Sequence, residues 1–136
     1  MSVIEVTDRN AYAKGIQITL QHDFYYLKEI NETLDKAVLT LNFDPTKSKI
    51  GPTNGFWTKG VDVAGNIVFT QAARMYDCTD STLALLHQSL RAFYDDPVKH
   101  AEEDETCICD TPATHFISGQ ACYHGELWLD PKYLTL

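Results

Sequence analysis

Residues 55 to 70 read GFWTKGVDVAGNIVFT and carry the pattern of a β-hairpin. Apolar and polar residues alternate on both sides of Gly65-Asn66, a dipeptide that can adopt the positive φ of a tight turn. The stretch therefore predicts two antiparallel strands joined by a tight turn, around which a sheet can form. The apolar residues nearest this turn are Val61, Val63, Ile67 and Phe69.

Upstream of the hairpin the sequence predicts a strand followed by a helix. Ile16, Ile18 and Leu20 alternate with polar residues, which is the period of a strand with one buried face. Residues 3 to 6 are expected to pair with this strand. From Asp23 onward the apolar residues recur every three or four positions, so we expect a helix with Asp23 as its N-cap. The apolar stripe of this helix consists of Phe24, Leu27, Ile30, Leu34 and Val38.

Residues 37 to 43, AVLTLNF, fit the period of a strand and that of a helix. Leu39, Leu41 and Phe43 alternate like strand residues, whereas Leu41 also continues the preceding helical stripe. We expect a strand here, ending before the turn at Asp44-Pro45.

Downstream of the hairpin the period changes from helix to short strands. Residues 81 to 95 predict a helix capped by Asp80 or Ser81, and Pro97 suits the first position of another short helix. The segments THFI, ACYH and ELWL then predict a C-terminal β-hairpin and meander. We therefore expect residues 1 to 136 to form a single α+β domain, an antiparallel sheet of short strands with two main helices packed on it.

The negative charge of the chain is concentrated in its last part. Residues 1 to 100 carry twelve acids and ten bases, whereas residues 101 to 136 carry seven acids against the single base Lys132. We treat residues 94 to 136 as an acidic C-terminal subregion. Nucleic acid is bound through Lys and Arg, so this subregion is not expected to contact it, and the charge favours a basic protein surface instead. The simpler interpretation is an ordinary solvated face.

Three of the four cysteines and two of the five histidines lie in CICDTPATHFISGQACYHG, residues 107 to 125. A structural zinc ion takes four ligands, usually as two pairs held by tight turns. Cys107 and Cys109 form one candidate pair, and Cys122 and His124 form the other. A hairpin between the pairs would bring them together, so the sequence predicts one structural Zn²⁺ that contributes folding energy and leaves no position for water.

This stretch resembles, over residues 107 to 125 only, the knuckles of small zinc-ribbon and treble-clef modules. Those modules often read C-x-x-C followed by G-x-P-A, whereas here the pairs are C-x-C and C-x-H. His115, Asp110 or the distant Cys78 could therefore replace one of the four ligands. Two alternatives need no metal: the cysteines are small buried hydrophobes on adjacent strands, or Cys107 and Cys109 are a redox pair.

Enzyme motifs do not occur in the sequence. There is no G-x-S-x-G, phosphate loop, H-E-x-x-H or dinucleotide fingerprint. His100 and Glu102 before Cys107 match residue types of zinc deaminases, but only residues 103 to 106 intervene, where that class has a strand between two helices. The sequence favours a protein without catalytic activity, and a small enzyme with a dispersed site stays an alternative.

These features predict a small acidic protein that binds and inhibits a basic macromolecular partner, for example a nucleic-acid-binding protein. Phage anti-defence proteins of the anti-CRISPR type and toxin-immunity proteins have this character. The other alternative is a zinc-stabilised nucleic-acid or protein-binding module of a larger assembly. The residues expected to contact the partner are Asp95, Asp96, Glu102, Glu103, Asp104 and Glu105.

The expected location is the cytoplasm. The N-terminus lacks the basic start and apolar run of a secretory signal, and no apolar run reaches the length of a membrane span. A reducing compartment would keep the cysteines as thiols or metal ligands. No membrane partner is expected, and a homo-oligomer is compatible with the sequence.

Overall fold

Among the described residues, four antiparallel strands form one sheet, and their order in the sheet is also their order along the chain. The computed structural model describes residues 9 to 34, residue 36 and residues 38 to 134. The strands are β1 (Gln17–Gln21), β2 (Gly55–Val61), β3 (Ile67–Cys78) and β4 (Gly119–Leu129). Three helices lie between strands along the chain: α1 (Phe24–Asn31), α2 (Leu83–Gln88) and α3 (Pro97–His100). The α+β class with an antiparallel sheet is thus confirmed.

The predicted hairpin is the centre of this sheet. β2 and β3 pair from Gly55 opposite Arg74 to Val61 opposite Ile67. In the turn, Asp62 Oδ1 accepts hydrogen bonds from two backbone N–H groups, at 3.0 Å and 2.8 Å, and Gly65 has φ +86°. Only a residue without a Cβ adopts that φ without strain, so the sequence signal and the turn agree.

Helices cover one face of the sheet, which we call the inner face. Asp23 caps α1 by accepting hydrogen bonds from the N–H groups of Tyr25 and Tyr26, as predicted. The core beneath α1 contains Phe24, Leu27, Ile30, Leu39, Phe43, Trp57 and Ala72. Beside it, Leu83 and Leu86 of α2 pack against Tyr76 and Cys78 of β3. Burial of these apolar side chains is the main force that holds the helices on the sheet.

The opposite, outer face of the sheet carries exposed apolar side chains. Side chains alternate across a strand, so the neighbours of buried Trp57 and Tyr76, namely Phe56 and Met75, point to this face. Leu20 and Leu127 are 60% and 74% exposed. At one end of this face, a Cβ at Gly60 would lie 2.9 Å from Phe69 and 3.0 Å from Ile16, so these two side chains flank Gly60.

The first predicted helix ends earlier than its apolar stripe. α1 stops at Asn31, and Thr33 Oγ1 donates a hydrogen bond of 2.7 Å to the carbonyl of Ile30. A hydroxyl that binds a preceding carbonyl competes with continued helix formation. Val38 is 90% exposed, so its assignment to the buried stripe was wrong.

The strand predicted for residues 37 to 43 is wrong in the part that the structure describes. Leu41–Phe43 is a 3₁₀ helix. The carbonyl of Asn42 accepts a 2.6 Å hydrogen bond from Arg74, and its side-chain amide donates to Tyr76 Oη at 2.9 Å. Because side chains of β3 hold Asn42 on the inner face, this segment lies across the sheet instead of joining its ladder.

The helix predicted for residues 81 to 95 is shorter than expected and begins two residues later, at Leu83. Thr82, not Asp80 or Ser81, caps α2, and its Oγ1 accepts a 3.1 Å hydrogen bond from the N–H of Leu85. The helix ends before Leu90, whose φ of +65° is a left-handed helix terminus. This early end turns Ala92 and Tyr94 inward, and both are buried.

The prediction of a C-terminal β-hairpin and meander is also wrong, because Gly119–Leu129 is one continuous strand, β4. Residues 114 to 117 form no strand, and Pro112–His115 is a 3₁₀ helix. Between Gly125 and Trp128 the pairing with β3 shifts, and Glu126 takes a positive φ of +54° there. This bulge bends the strand without ending it. Gly125 serves close packing, since a Cβ there would lie 2.8 Å from the Phe43 ring.

The N-terminal strand predicted for residues 3 to 6 lies outside the described residues. Residues 9 to 13 are helical and lead into β1. Among the described residues, no helix has the length and apolar composition needed to cross a bilayer.

Candidate functional site

Residues 95 to 105, which we call the acidic segment, follow the turn after α2 and include α3. The N–H of Asp95 donates to the carbonyl of Lys47, and its Oδ1 accepts a 2.6 Å hydrogen bond from the N–H of Lys49. Asp96 caps α3 by accepting from the N–H of Lys99, as its position before Pro97 predicted. Asp95 therefore holds the start of the segment against the loop of residues 44 to 54, and Asp96 stabilises the first turn of α3.

Glu105 holds the other end of the acidic segment. Its two carboxylate oxygens both lie 2.9 Å from Tyr94 Oη and share the one hydrogen bond that this hydroxyl donates, and Oε2 also accepts from the N–H of Glu102. Burial, and then the hydrogen bond with Glu105, raises the pKa of Tyr94 to about 12, so the phenol stays a donor at neutral pH. The segment is thus fastened at its beginning and at its end.

Glu102, Glu103 and Asp104 lie between these attachments and are exposed. Within the part of the chain that the structure describes, the ion pairs join Lys28 to Asp44, Lys36 to Glu126, and Lys132 to Asp62. None of these pairs uses an acid of the acidic segment. Three neighbouring carboxylates are therefore presented to solvent without neutralisation by a described lysine or arginine.

The predicted zinc ligands lie on two sides of the sheet. Cys109 Sγ donates to the carbonyl of Ala84 at 3.7 Å, which places it beside α2 on the inner side. Cys122 and His124 alternate with Tyr123, whose ring packs on Tyr76 of the inner face, so both point to the outer face. Cys122 is exposed, and His124 contacts Gln71. The structure keeps Cys107 near Cys109, and Cys122 near His124, but it does not bring the two pairs together.

Cys107 and Cys109 are half-buried neighbours. Burial, and then the adjacent thiol of Cys109, raises the pKa of Cys107, which keeps this sulfur protonated at neutral pH. A raised pKa is the opposite of what a reactive redox thiol shows. The idea that Cys107, Cys109 and Cys122 are buried hydrophobes on strands fits none of them fully, since the first two lie off the strands.

The alternative ligands occupy different environments. Cys78 is buried in the core, Asp110 is exposed, and a ring nitrogen of His115 is 2.9 Å from the carbonyl of Cys109. Among the described residues, no three His, Cys, Asp or Glu side chains are grouped so as to hold a metal ion. The zinc site stays a prediction, and native mass spectrometry of untreated protein tests it by measuring added mass.

A buried arginine, Arg74, borders a surface cleft and was not predicted from the sequence. Arg74 is 6% exposed and lies over the Tyr76 ring at 4.2 Å. Its guanidinium donates to the carbonyls of Asn42 and Lys49 and to Ser48 Oγ. The cleft has a volume of about 510 Å³ and also borders Arg91 and Asp95. In β3, buried and more exposed residues largely alternate, and Arg74 occupies a position of the buried set. That position in the alternation is the sequence signal from which its burial could have been predicted.

Comparison with known proteins gives no family for this chain. Neither a protein-family model, nor a curated protein, nor a solved structure matches it. The residues and surfaces of the chain itself are therefore the basis for a functional proposal.

Proposed function

We propose that the protein binds a basic surface of a macromolecular partner through Glu102, Glu103 and Asp104, and inhibits that partner by covering the surface. The observation that carries this proposal is the exposure of three adjacent carboxylates that no described cation neutralises. Such a group attracts a cationic surface at long range and orients the encounter.

The attachments of the acidic segment support a binding role for the three exposed acids. Asp95, Asp96 and Glu105 accept hydrogen bonds from their own chain, so they act in this proposal as supports and not as contacts. A supported segment loses less conformational entropy on binding than a free one, and more of the contact energy appears as affinity.

The partner class follows from the sign of the charge. A surface evolved to bind nucleic acid is rich in Lys and Arg, and a protein carrying clustered carboxylates competes with the phosphates for it. The inhibitory role, the likeness in type to phage anti-defence and toxin-immunity proteins, and a cytoplasmic location are parts of the same proposal. Nucleic acid itself is not expected to bind the acidic segment.

The test compares two charge reversals of equal size. E102K/E103K/D104K removes the proposed contacts, and E29K/E32K/D80K reverses three exposed acids elsewhere. The probe is a fluorescent lysine homopolymer of about 20 residues, a length that spans several charges, measured by anisotropy at low salt. We expect the first variant to weaken binding by about tenfold and the second by about twofold.

Salt dependence gives the second readout. The dissociation constant of the unmodified protein should rise steeply with salt, and the slope should flatten in E102K/E103K/D104K alone. Equal losses in the two variants would show that total charge, not the acidic segment, determines binding, and the proposal would then be abandoned.

A further inference from the structure

Among the described strands, β4 has the longest edge without a paired strand. β4 is the last strand in the order and pairs with β3 alone. In the described part of the chain, no backbone hydrogen bond connects residues 119 to 125 to anything other than β3. We call residues 119 to 125 the edge segment. Its outward N–H and C=O groups are free to pair with another strand.

The edge segment lacks the features that usually prevent such pairing. Proteins protect exposed edges with charged residues, proline, bulges or very short strands. The sequence GQACYHG has no Asp, Glu, Lys, Arg or Pro, and the bulge begins only after Gly125. Glu126, which follows, is turned inward to Lys36 at 3.1 Å. The other edge of the sheet, β1, is five residues long.

A second copy of the same chain fits this edge by symmetry. Two identical strands pair antiparallel about a two-fold axis when each residue meets its counterpart across the centre of the segment. For residues 119 to 125 the centre is Cys122, so Cys122 faces Cys122 of the second copy. Gln120 then lies opposite His124, an amide that can hydrogen-bond an imidazole, and all three side chains are exposed on the outer face.

Charge also favours self-association at this place over other surfaces. The chain has a formal net charge of −8, so two copies repel each other wherever acids meet. The edge segment carries no formal charge apart from histidine protonation, which allows the closest approach without opposing carboxylates. We propose that the protein forms a two-fold homodimer in which the β4 edge segments pair antiparallel and join both sheets into one.

Disulfide trapping tests the register. Directly opposed residues of an antiparallel pair have Cβ atoms about 4.5–5.5 Å apart, close to the separation that a disulfide spans. Under copper-phenanthroline and air, two Cys122 thiols lose two protons and two electrons to oxygen and form one S–S bond. We expect a covalent dimer from unmodified protein and from C107S/C109S, and none from C122S. A dimer that persists in C122S would overturn the register.

Charge pairs at the same position test the interface without oxidation. C122K and C122E each place like charges opposite each other on the axis, and the exposed position should tolerate both. By analytical ultracentrifugation we expect the dissociation constant of either variant alone to rise at least about tenfold. An equal mixture should recover dimers, because Lys then faces Glu.

Two results contradict the homodimer. Unmodified protein that sediments as a monomer up to millimolar concentration would overturn it directly. Dimerisation that is equally strong in C122K, C122E and their mixture would locate the contact elsewhere. Circular dichroism of each variant confirms that a loss of dimer is not a loss of fold.

Discussion

Arg74 is the residue on which the loop of residues 42 to 49 depends. Its guanidinium binds two backbone carbonyls and a hydroxyl of that loop, and no described carboxylate forms an ion pair with it. Burial lowers the pKa of Arg74, although the group stays charged at neutral pH. Neutral acceptors and the Tyr76 ring therefore contact the guanidinium directly, and the charge of Asp95 favours its charged form from farther away.

Replacing Arg74 should destabilise the protein strongly. In R74M a side chain of similar length fills the space, but the carbonyl of Asn42 and Ser48 Oγ lose their buried donor. We expect the free energy of unfolding to fall by about 2–4 kcal/mol. Urea denaturation followed by circular dichroism measures this change.

The matched control is R91M. Arg91 is exposed, and its Nε donates to Ser89 Oγ. Its replacement should change the unfolding free energy by no more than about 0.5 kcal/mol. Similar effects of R74M and R91M would show that the buried hydrogen bonds contribute little to stability.

At the scale of elements, β4 depends on a close approach between Gly125 and the 3₁₀ helix of residues 41 to 43. A Cβ at Gly125 would lie 2.8 Å from the ring of Phe43, which is fully buried and cannot move freely. G125A should therefore lower the unfolding free energy by about 1–3 kcal/mol through overpacking. Chemical denaturation measures the loss.

G51A is the control for this prediction. Gly51 has no positive φ, and a Cβ there meets nothing within 4 Å. Its replacement should leave stability nearly unchanged or raise it slightly, because alanine restricts the unfolded chain. A stable G125A would mean that Phe43 can rotate away and that β4 is not fixed by this contact.

The elements that the sequence predicts well are those with local signals. Asp23 before an apolar stripe and Gly65-Asn66 between two alternating runs act through neighbouring residues, and both predictions are confirmed. Residues 41 to 43 were assigned to the wrong element because Arg74 and Tyr76, distant in sequence, fix Asn42. A left-handed helix terminus is usually marked by glycine in the sequence, whereas here the residue is Leu90. The end of α2 was therefore not predicted.

The candidate site shows the same division. Pro97 after Asp96 predicted the short helix of the acidic segment correctly. No local rule shows that Glu105 binds Tyr94 whereas Glu102 to Asp104 stay free, because that depends on how the chain folds back. The face of the sheet on which Cys122 and His124 lie likewise depends on β4. This strand is continuous, whereas the sequence predicted two strands there.

At the scale of the whole molecule, charge affects the two proposed associations in opposite ways. Binding of a basic surface by the acidic segment gains from attraction, which salt screens. Dimerisation brings together two chains of like net charge, and salt screens that repulsion instead. Between about 50 and 300 mM NaCl we expect partner binding to weaken and the dimer to tighten.

Both trends can be measured on one preparation. Anisotropy with the lysine homopolymer reports the first, and sedimentation reports the second. E102K/E103K/D104K should flatten the salt dependence of homopolymer binding, because it removes attraction to the lysines. It should also flatten the salt dependence of dimerisation, because it removes part of the repulsion between the two chains. Parallel trends with salt would contradict this description of the charge.

The pairing of Cys78 with Gly119 joins the end of β3 directly to the start of β4. Residues 79 to 118, which include α2 and the acidic segment, thus leave the sheet and return to it at one point. Insertions, deletions or substitutions at exposed positions of residues 79 to 118 therefore leave the hydrogen-bonded pairing of the strands unchanged. The residues of the proposed partner contact can therefore change in evolution while the sheet that carries them stays the same.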